Sequence, residues 1–464
     1  MRTTLDADLQ RTATRALTEQ LARLADRRVR DGAVLVVENG SGDVLAWVGS
    51  SGALSNARHV DFVRARRQAG STLKPFLYAL AFEDRILSPT TLLDDSPLEI
   101  PTALGSYRPD NYDHRFHGPV EARVALGASL NIPAVRVLER VGVDRAVVAL
   151  RAFGLGALER ADYYGPSLAL GAADVTLEEL VGAYRALARG GRPGALRIRW
   201  DDPPAPAPQA EAPVVSAGAS FLVGEILADR GHRSLTFGLD SALATRGFAA
   251  VKTGTSKDMR DNWCLGFSDR YTVGVWVGNG SGEPMQDVSG IDGATPVWST
   301  LMNALHEGTP SRAPAPPTGV VATATGHALH GTERPAELPS APAAGSRADF
   351  AEASERTEGP EATEATEVAE IAESRERAEP AALARIVSPA SGLVIAWDPD
   401  IPPDRQRVLV EARPADPRLA LVLDGRRLGS AASPHLWRVE RGRHRLVLAD
   451  ESGAELDRVA FLVR

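Results

Sequence analysis

The chain has 464 residues, 44% of them apolar and 24% charged, which is enough for two or three domains with sizeable cores. The formal net charge is −8 and basic residues are interspersed with acidic ones, so the sequence lacks the basic block of a nucleic-acid-binding protein. A single cysteine, Cys264, excludes an internal disulfide.

The N-terminal segment shows no pattern of export or membrane insertion. The first residues, MRTTLDADLQ, contain no apolar h-region of a signal peptide. The chain also lacks a run of about 18 apolar residues, the length that a membrane-spanning helix needs. We therefore expect neither a signal nor a membrane anchor within this sequence.

The predicted elements begin with a helix and a β-hairpin. Residues 7–27 repeat apolar side chains at helical spacing, and residues 33–50 form two apolar runs around a Gly-rich turn. Residues 70–200 are mostly helical in pattern, with Gly and Pro between the segments. From residue 247, GFAAVKTGT, NWCLGF and YTVGVWVG predict three strands, the last two joined by an SDR turn. We expect one five-stranded antiparallel sheet, with the helical region inserted between its second and third strands.

The C-terminal third has a different composition. Residues 307–385 are rich in Pro, Ala and Glu with few large apolar side chains, which predicts a disordered linker after a first domain at 1–306. From residue 386, apolar alternation resumes in RVLVEAR, LALVLDG, HRLVLAD and VAFLVR. These short runs, separated by turns, predict a small all-β sandwich over 386–464.

The first candidate motif is Ser71-Thr72-Leu73-Lys74, which opens a helix-like stretch. A spacing of three residues places Ser71 and Lys74 on one helix face, one turn apart. The first turn of a helix offers free backbone N–H groups and the positive end of the dipole, and both favour an oxyanion. Lysine occurs only three times in this arginine-rich chain. Because guanidinium does not give up its proton, Lys74 is a candidate base.

Two further motifs follow in order. Ser129-Leu130-Asn131 precedes Ile132-Pro133, and such a triplet alone is typical of turns and helix caps. Lys252-Thr253-Gly254-Thr255 lies on a predicted strand, where glycine permits a ligand to approach the backbone closely. Threonine hydroxyls and a lysine ammonium suit the binding of a carboxylate.

The order of the motifs is more specific than any one of them. Ser-x-x-Lys, then Ser-x-Asn, then Lys-Thr-Gly is the set of penicillin-binding proteins and serine β-lactamases. Residues 1–305 resemble the transpeptidase domain of class A penicillin-binding proteins, and YRPDNY at 107–112 is similar to a segment of that family. Residues from 386 resemble the C-terminal domain of the penicillin-binding protein 1C type. The resemblance implies an α+β penicillin-binding/β-lactamase-like transpeptidase fold, followed by the small β-sandwich.

The resemblance implies a peptidoglycan D,D-transpeptidase that cross-links stem peptides. Ser71 would attack the D-Ala-D-Ala carbonyl while Lys74 takes its proton. Backbone N–H groups of Ser71 and Thr255 would form the oxyanion hole. Ser129 would relay a proton to the leaving D-Ala, and Asn131 would orient Lys74 and the substrate amide.

The resemblance also implies the residues that hold the substrate. Lys252 would belong to the catalytic set and, with Thr253 and Thr255, would bind the terminal carboxylate. Gly254, Tyr107 and Asn111 are implied as further substrate-binding positions. No metal or organic cofactor is implied.

Partners and location follow from the same resemblance. β-Lactams would trap Ser71, and the C-terminal domain would contact other cell-wall synthesis proteins. The implied location is the periplasmic face of the inner membrane. The family carries a glycosyltransferase domain and an anchor ahead of a TTLD-like segment, and here Met1 lies almost at that junction. We therefore expect a chain without the glycosyltransferase domain.

Three alternatives stay open from the residues alone. A D,D-carboxypeptidase would use the same acyl-enzyme but transfer it to water, and a class A β-lactamase needs a Glu-x-x-Leu-Asn segment, which is not found after Ser129. A module that binds penicillin or stem peptides without turnover is the third. His114 and His117 have a spacing that suits a metal, but no further ligand completes the set, so we predict no metal site. We expect Cys264, Trp276 and Trp298 to lie in the core.

Overall fold

A five-stranded antiparallel sheet organises the first of two units in the computed structural model. The structure describes residues 2–102, 105–203, 212–238, 241–333, 384–389, 394–395, 407–413, 416–433, 435–438 and 440–463. The first unit takes in the described residues of Met1–Leu98 and Pro109–Ala341, and the second those of Glu99–Arg108 and Pro342–Arg464. Within the described ranges, every helix is too short or too polar to span a bilayer.

Among the described residues, the helices all belong to the first unit. They are α1 (Ala7–Arg23), α2 (Lys74–Glu83), α3 (Ala122–Gly127), α4 (Asn131–Val141), α5 (Val143–Ala152), α6 (Ala161–Tyr164), α7 (Leu177–Ala188), α8 (Ala217–Ala228), α9 (Arg230–Phe237) and α10 (Thr295–Leu305).

The strands up to residue 329 are mostly short, apart from those of the main sheet. They are β1 (Asp31–Glu38), β2 (Val44–Val48), β3 (Arg67–Gln68), β4 (Leu92–Asp95), β5 (Ile100–Thr102), β6 (Gly105–Tyr107), β7 (Gly118–Glu121), β8 (Asp174–Val175), β9 (Ala250–Thr255), β10 (Asp261–Phe267), β11 (Tyr271–Gly278), β12 (Val320–Thr323) and β13 (Gly326–Leu329).

The main sheet has the order β2-β1-β11-β10-β9 and is antiparallel throughout. Its first two strands form the predicted N-terminal hairpin, and the helical region enters between β2 and β9. The predicted α+β fold with this insertion is therefore confirmed. Strand β9, which carries Lys252 and Thr255, is therefore an edge strand of the sheet and lies beside the inserted helices.

Helices cover the sheet on both faces, with α1 and α10 together on one face and α7 on the other. Helix α1 begins where the Asp6 side chain accepts a hydrogen bond from Leu9 N at 2.8 Å, and its apolar face packs with α10 on the sheet. Helix α7 begins with a reciprocal capping box and packs against β1, β10 and β11. Three side chains predicted for the core are confirmed there at 0% exposure, namely Cys264, Trp276 and Trp298.

Two features of the first unit differ from the sequence predictions. The region 70–200 contains short strands as well as helices, since β4 pairs with β7 inside it and β8 pairs with β3, which immediately precedes it. The predicted linker at 307–385 is wrong over its first part, because β12 and β13 form a hairpin beside α8. Val320 and Leu329 lie against Gly218 of that helix, which gives the hairpin a buried contact that composition alone does not show. Residues 334–383 lie outside the described ranges.

The C-terminal part of the second unit consists of strands, as predicted. They are β14 (Arg385–Ser388), β15 (Val394–Ile395), β16 (Arg407–Arg413), β17 (Ala420–Leu423), β18 (Arg426–Ser430), β19 (His435–Arg438), β20 (Gly442–Ala449) and β21 (Glu455–Val463). One sheet has the order β14-β16-β19 and the other β15-β21-β20-β17-β18. Alternating side chains of both sheets, such as Val410, Leu421 and Leu446, share one apolar core.

Candidate active site

Ser71 lies in a short 3-10 turn, Gly70–Leu73, that leads directly into α2 at Lys74. Gly70 has a φ of +56°, and a Cβ on it would lie 2.7 Å from the carbonyl oxygen and 3.1 Å from the nitrogen of Thr255. Only glycine tolerates both this positive φ and this close approach to the backbone of Thr255. The turn therefore rests against the end of β9, which brings the backbone of Ser71 close to that of Thr255.

Gly254 packs against the Ser71 turn from the strand side. A Cβ at this position would lie 2.6 Å from Cγ2 of Thr72 and 3.1 Å from the carbonyl oxygen of Ala69. The space next to Gly254 is therefore filled by the protein itself. This corrects the prediction that Gly254 lacks a side chain so that a ligand can approach.

We expect Gly254→Ala to destabilise the fold by about 1–3 kcal/mol, the usual cost of overpacking a close contact. Thr72→Ser removes Cγ2 but keeps the hydroxyl that donates to Ala69 O at 2.8 Å, so it should restore part of the loss in the double variant. Urea unfolding of the single and double variants measures both effects. Gly156→Ala is the matched control, because a Cβ there meets nothing within 4 Å. A Gly254→Ala protein as stable as this control would contradict the packing role.

The Ser129 turn connects α3 to α4 with a strained backbone. Ser129 has a φ of +62°, which is uncommon for a residue with a side chain. The Lys74 ammonium donates hydrogen bonds to the carbonyl oxygens of Ser129 at 2.7 Å and Leu130 at 3.1 Å. Thr236 adds a bond to Ala128 O at 2.8 Å. These contacts hold the turn in place and aim the Ser129 hydroxyl between two lysines.

Both lysines reach the hydroxyl of Ser129. Lys252 Nζ donates to Ser129 Oγ at 2.7 Å, and Lys74 Nζ lies 3.4 Å from the same oxygen. Lys74 Nζ also donates to Asn131 Oδ1 at 2.6 Å. The structure thus brings together Lys74, Ser129, Asn131 and Lys252, residues from three separate motifs. Ser71, which lies half-buried one turn before Lys74, has no side-chain hydrogen bond to the residues that the structure describes.

Burial makes both lysines unusually ready to lose a proton. Lys74 is 0% exposed and Lys252 is 2% exposed. Burial, and secondarily the positive charge of Lys252, hold the pKa of Lys74 well below its ordinary value, while the charge of Asp95 opposes this. Burial lowers the pKa of Lys252 to about 7. A neutral amine can accept a proton from a serine hydroxyl and so act as the general base of a serine acyl transfer.

The two threonines of the third motif lie beside the loop that contains Gly290. Thr255 Oγ1 accepts a hydrogen bond from Gly290 N at 3.0 Å, so its own hydroxyl proton can still be donated. Thr253 is largely buried, and its Cβ lies near Gly290. Thr255 is half-buried and is the more accessible of the two.

Two predicted substrate-binding residues have other surroundings. Asn111 is 2% exposed, and its side-chain amide is engaged within the protein by Asp95, Arg115 and Asn131. This placement contradicts direct substrate contact and makes Asn111 a support for Asn131. Tyr107 belongs to β6 of the second unit, and its side chain lies outside what the structure describes.

Asp95 and His117 lie behind Asn111 and are not among the site residues predicted from the sequence. Asp95 is a fully buried acid at the end of β4, and His117 donates its backbone N–H to Asp95 Oδ2 at 3.0 Å. Successive side chains of a strand point to opposite faces, so a strand over LLDD would indicate that one of its two acids points inward. The only functional signal of His117 in the sequence is its spacing from His114, and across the described residues no group of three or more His, Cys, Asp or Glu side chains is placed to hold a metal.

Comparisons with known proteins agree with this geometry. Residues 32–278 match the family described as "Penicillin binding protein transpeptidase domain", and residues 373–461 match the "Penicillin-Binding Protein C-terminus Family". Penicillin-binding protein 1C of Escherichia coli (strain K12) is 39% identical over 306 residues, which cover 65% of this chain and 38% of that protein. Penicillin-binding protein 2D of Bacillus subtilis (strain 168) is 29% identical over 333 residues, which cover 68% of this chain and 47% of that protein. The chain thus spans less than half the length of these relatives.

Solved structures show the same fold. The crystal structure of penicillin-binding protein 1A from Haemophilus influenzae matches with a TM-score of 0.57 and 25% identity, over 65% of this chain and 53% of that one. PonA1 from Mycobacterium tuberculosis in complex with penicillin V matches with a TM-score of 0.58 and 22% identity, over 70% of this chain and 90% of that one. Because the matched segment 32–278 is more than half of the sequence, the chain belongs to the penicillin-binding protein transpeptidase domain family.

Proposed function

We propose that this chain is a peptidoglycan D,D-transpeptidase that cross-links stem peptides through a Ser71 acyl-enzyme. The observation that carries the proposal is the convergence of two buried lysines on Ser129 Oγ, at 2.7 and 3.4 Å. Paired low-pKa amines around a relay hydroxyl have little structural use, because burying two cations together costs stability. They suit a site that moves protons to and from a serine nucleophile.

In the proposed acylation, Ser71 Oγ attacks the carbonyl of the D-Ala-D-Ala bond and neutral Lys74 takes the hydroxyl proton. Backbone N–H groups of Ser71 and Thr255 stabilise the tetrahedral oxyanion. Ser129 gives its proton to the nitrogen of the departing D-Ala and is reprotonated from the lysine pair. The C–N bond breaks, the ester to Ser71 forms, and free D-Ala leaves.

In the proposed second half of the reaction, the amine of a neighbouring stem peptide attacks the ester and regenerates Ser71.

The terminal carboxylate of the first stem peptide is bound during acylation by Lys252, Thr253 and Thr255, with the accessible Thr255 hydroxyl donating a hydrogen bond. A β-lactam enters the same path, but its opened ring stays attached and keeps the leaving group in place. The acceptor amine is then blocked, and Ser71 is trapped.

The remaining assignments rest on the same family membership. Peptidoglycan is cross-linked outside the cytoplasm, so we place the activity at the periplasmic face of the inner membrane. We assign the chemistry to the first unit and contacts with other cell-wall synthesis proteins to the C-terminal sandwich.

A partition experiment tests this function. The full chain is incubated with a stem pentapeptide ending in D-Ala-D-Ala and a second peptide with a free amine, and the products are identified by mass spectrometry. A cross-linked product with release of D-Ala is expected. Tetrapeptide as the sole product would indicate a carboxypeptidase. The chain is also incubated with penicillin, and rapid loss of the resulting adduct would indicate a β-lactamase. A lasting penicillin adduct without any peptide turnover would indicate a binding module.

A further inference from the structure

Asp95 and its neighbour Asp94 occupy opposite faces of β4. Exposure alternates along this strand, with Leu92 and Asp94 outward and Leu93 and Asp95 inward. The Asp94 side chain is 53% exposed and forms an ion pair with Arg136 at 2.8 Å. Asp95 is 0% exposed. A carboxylate is rarely buried to this extent without a specific set of partners.

The partners of Asp95 lead directly to the catalytic turn. Asn111 Nδ2 donates to both carboxylate oxygens, at 2.8 and 2.9 Å. The other end of the same amide, Asn111 Oδ1, accepts the backbone N–H of Asn131 at 2.8 Å. Asn131 Oδ1 in turn accepts from Lys74 Nζ at 2.6 Å. These bonds connect Asp95 to the amine of Lys74 through the side chain of Asn111 and then through the backbone N–H and the side chain of Asn131.

His117 secures the outer side of Asp95. Its backbone N–H and its Nδ1 both lie against Asp95 Oδ2, at 3.0 and 2.9 Å. The ring is 20% exposed, and its Nε2 faces Asp113 at 3.8 Å. Asn111 and His117, at the two ends of the loop 111–117, therefore both hold the Asp95 carboxylate, so the loop defines its position.

Asp95 also faces charged and titratable groups of α2. Lys74 experiences its negative charge, which acts against the effects of burial and of Lys252. Tyr78, one turn further along α2, experiences the same charge, and its buried hydroxyl has no partner among the described residues. When Lys74 takes a proton, it becomes a cation in a buried site beside Lys252. Asp95 is the acid whose charge compensates this cation.

We propose that Asp95, Asn111 and His117 form a positioning network that fixes Asn131 against Lys74 and places a buried negative charge behind this lysine. The inference rests on the proposed function, since it assigns a role to these residues in acylation of Ser71. Asp95 and His117 touch no reacting atom in this scheme and act through Asn131 and Lys74. The network makes the reactivity of the Lys-Ser-Asn cluster depend on a strand and a loop outside the three motifs.

The charge of Asp95 should shift the pH dependence of acylation in a definite direction. Lys74 acts as a base only when neutral, so the acylation rate rises with pH as this amine loses its proton. Asp95 favours the protonated form. Without the negative charge, the rise in rate should move to lower pH, because the protonated amine of Lys74 loses a charge that stabilises it. Lost positioning of Asn131 should also lower the maximal rate, by about tenfold.

The test is the pH profile of acylation by a fluorescent penicillin in Asp95→Asn, with Asp94→Asn as the matched control. Asp94→Asn removes the same charge from the next residue and should keep the wild-type profile. Asp95→Asn should show both the acidic shift and the lower maximum. The proposal would be overturned by a folded Asp95→Asn protein whose acylation rate rises over the same pH range as that of the wild type. A purely structural role predicts a lower rate without any change in this pH range.

A second variant keeps the test decisive if Asp95→Asn does not fold. Asn111→Ala keeps the Asp95 carboxylate but removes the link to Asn131, together with the bonds from Asn111 to Asp95 and to Arg115 O. Because the residue that supplies the negative charge stays, the maximal rate should fall about tenfold while the rate still rises near the wild-type pH. A wild-type rate in this variant would overturn the proposal. So would unfolding of both variants while Asp94→Asn folds, since the network would then serve the fold. If the wild-type chain is not acylated at any pH, it is the proposed function that fails.

Discussion

Ser71→Ala is expected to abolish covalent attachment of penicillin, with a fall of at least about 10⁴-fold in the acylation rate. The variant removes one oxygen atom, and without it no ester can form. Ser71 is half-buried in a turn that Gly70 and Thr72 hold against β9, so the fold should not depend on its hydroxyl. Lys74, Ser129 and Lys252 remain in place in this variant.

Intact-protein mass spectrometry measures the result directly. The wild-type chain should gain the whole mass of the penicillin, because ring opening releases no fragment, and should keep it for many minutes. Ser220→Ala is a matched control, since Ser220 is a buried serine in α8 whose hydroxyl has no partner in the described structure. It should label like the wild type. A mass gain that persists in Ser71→Ala would assign the nucleophile to another residue.

The features that could be predicted from the sequence depend on local pattern. The strands around Lys252 and in YTVGVWVG are short apolar runs bounded by turns, and the central strands are buried on both faces. Local spacing places each motif at the beginning of a helix or on a strand. That Ser71, Ser129 and Lys252 belong to one site is predicted by the resemblance of the ordered motif set to that of penicillin-binding proteins.

The features that could not be predicted depend on contacts between distant segments. The pattern of β4 indicates that one of its two acids points inward, but the pairing of β4 with β7 decides that this acid is Asp95. The positive φ of Ser129 is stabilised by an ammonium group 55 residues earlier in the chain. Gly254 was assigned to a ligand because nothing in the sequence shows that Thr72 occupies the same space. In each case the deciding partner is remote in sequence.

Lys74→Arg should reduce the acylation rate by about 10²–10⁴-fold, although it preserves the positive charge. Arginine can still donate a hydrogen bond to Asn131 Oδ1, which Lys74 contacts at 2.6 Å, so a merely structural role would tolerate the exchange. It cannot act as a base, because a guanidinium stays protonated at any pH at which the protein is folded. Burial lowers the pKa of Lys74, and this effect makes the neutral amine available in the wild type.

The pH dependence of acylation distinguishes a role of Lys74 as a base from a purely structural role. The wild-type rate should rise with pH as Lys74 loses its proton, whereas the rate of Lys74→Arg should stay low as the pH is raised. Lys257→Arg is the matched control, since Lys257 is the exposed lysine of the chain and should keep the wild-type profile. Circular dichroism shows whether the larger guanidinium is accommodated, and Lys74→Met repeats the test without a buried charge. A folded Lys74→Arg protein that is acylated at the wild-type rate would transfer the role of base to Lys252, whose pKa of about 7 would then suit it for that step.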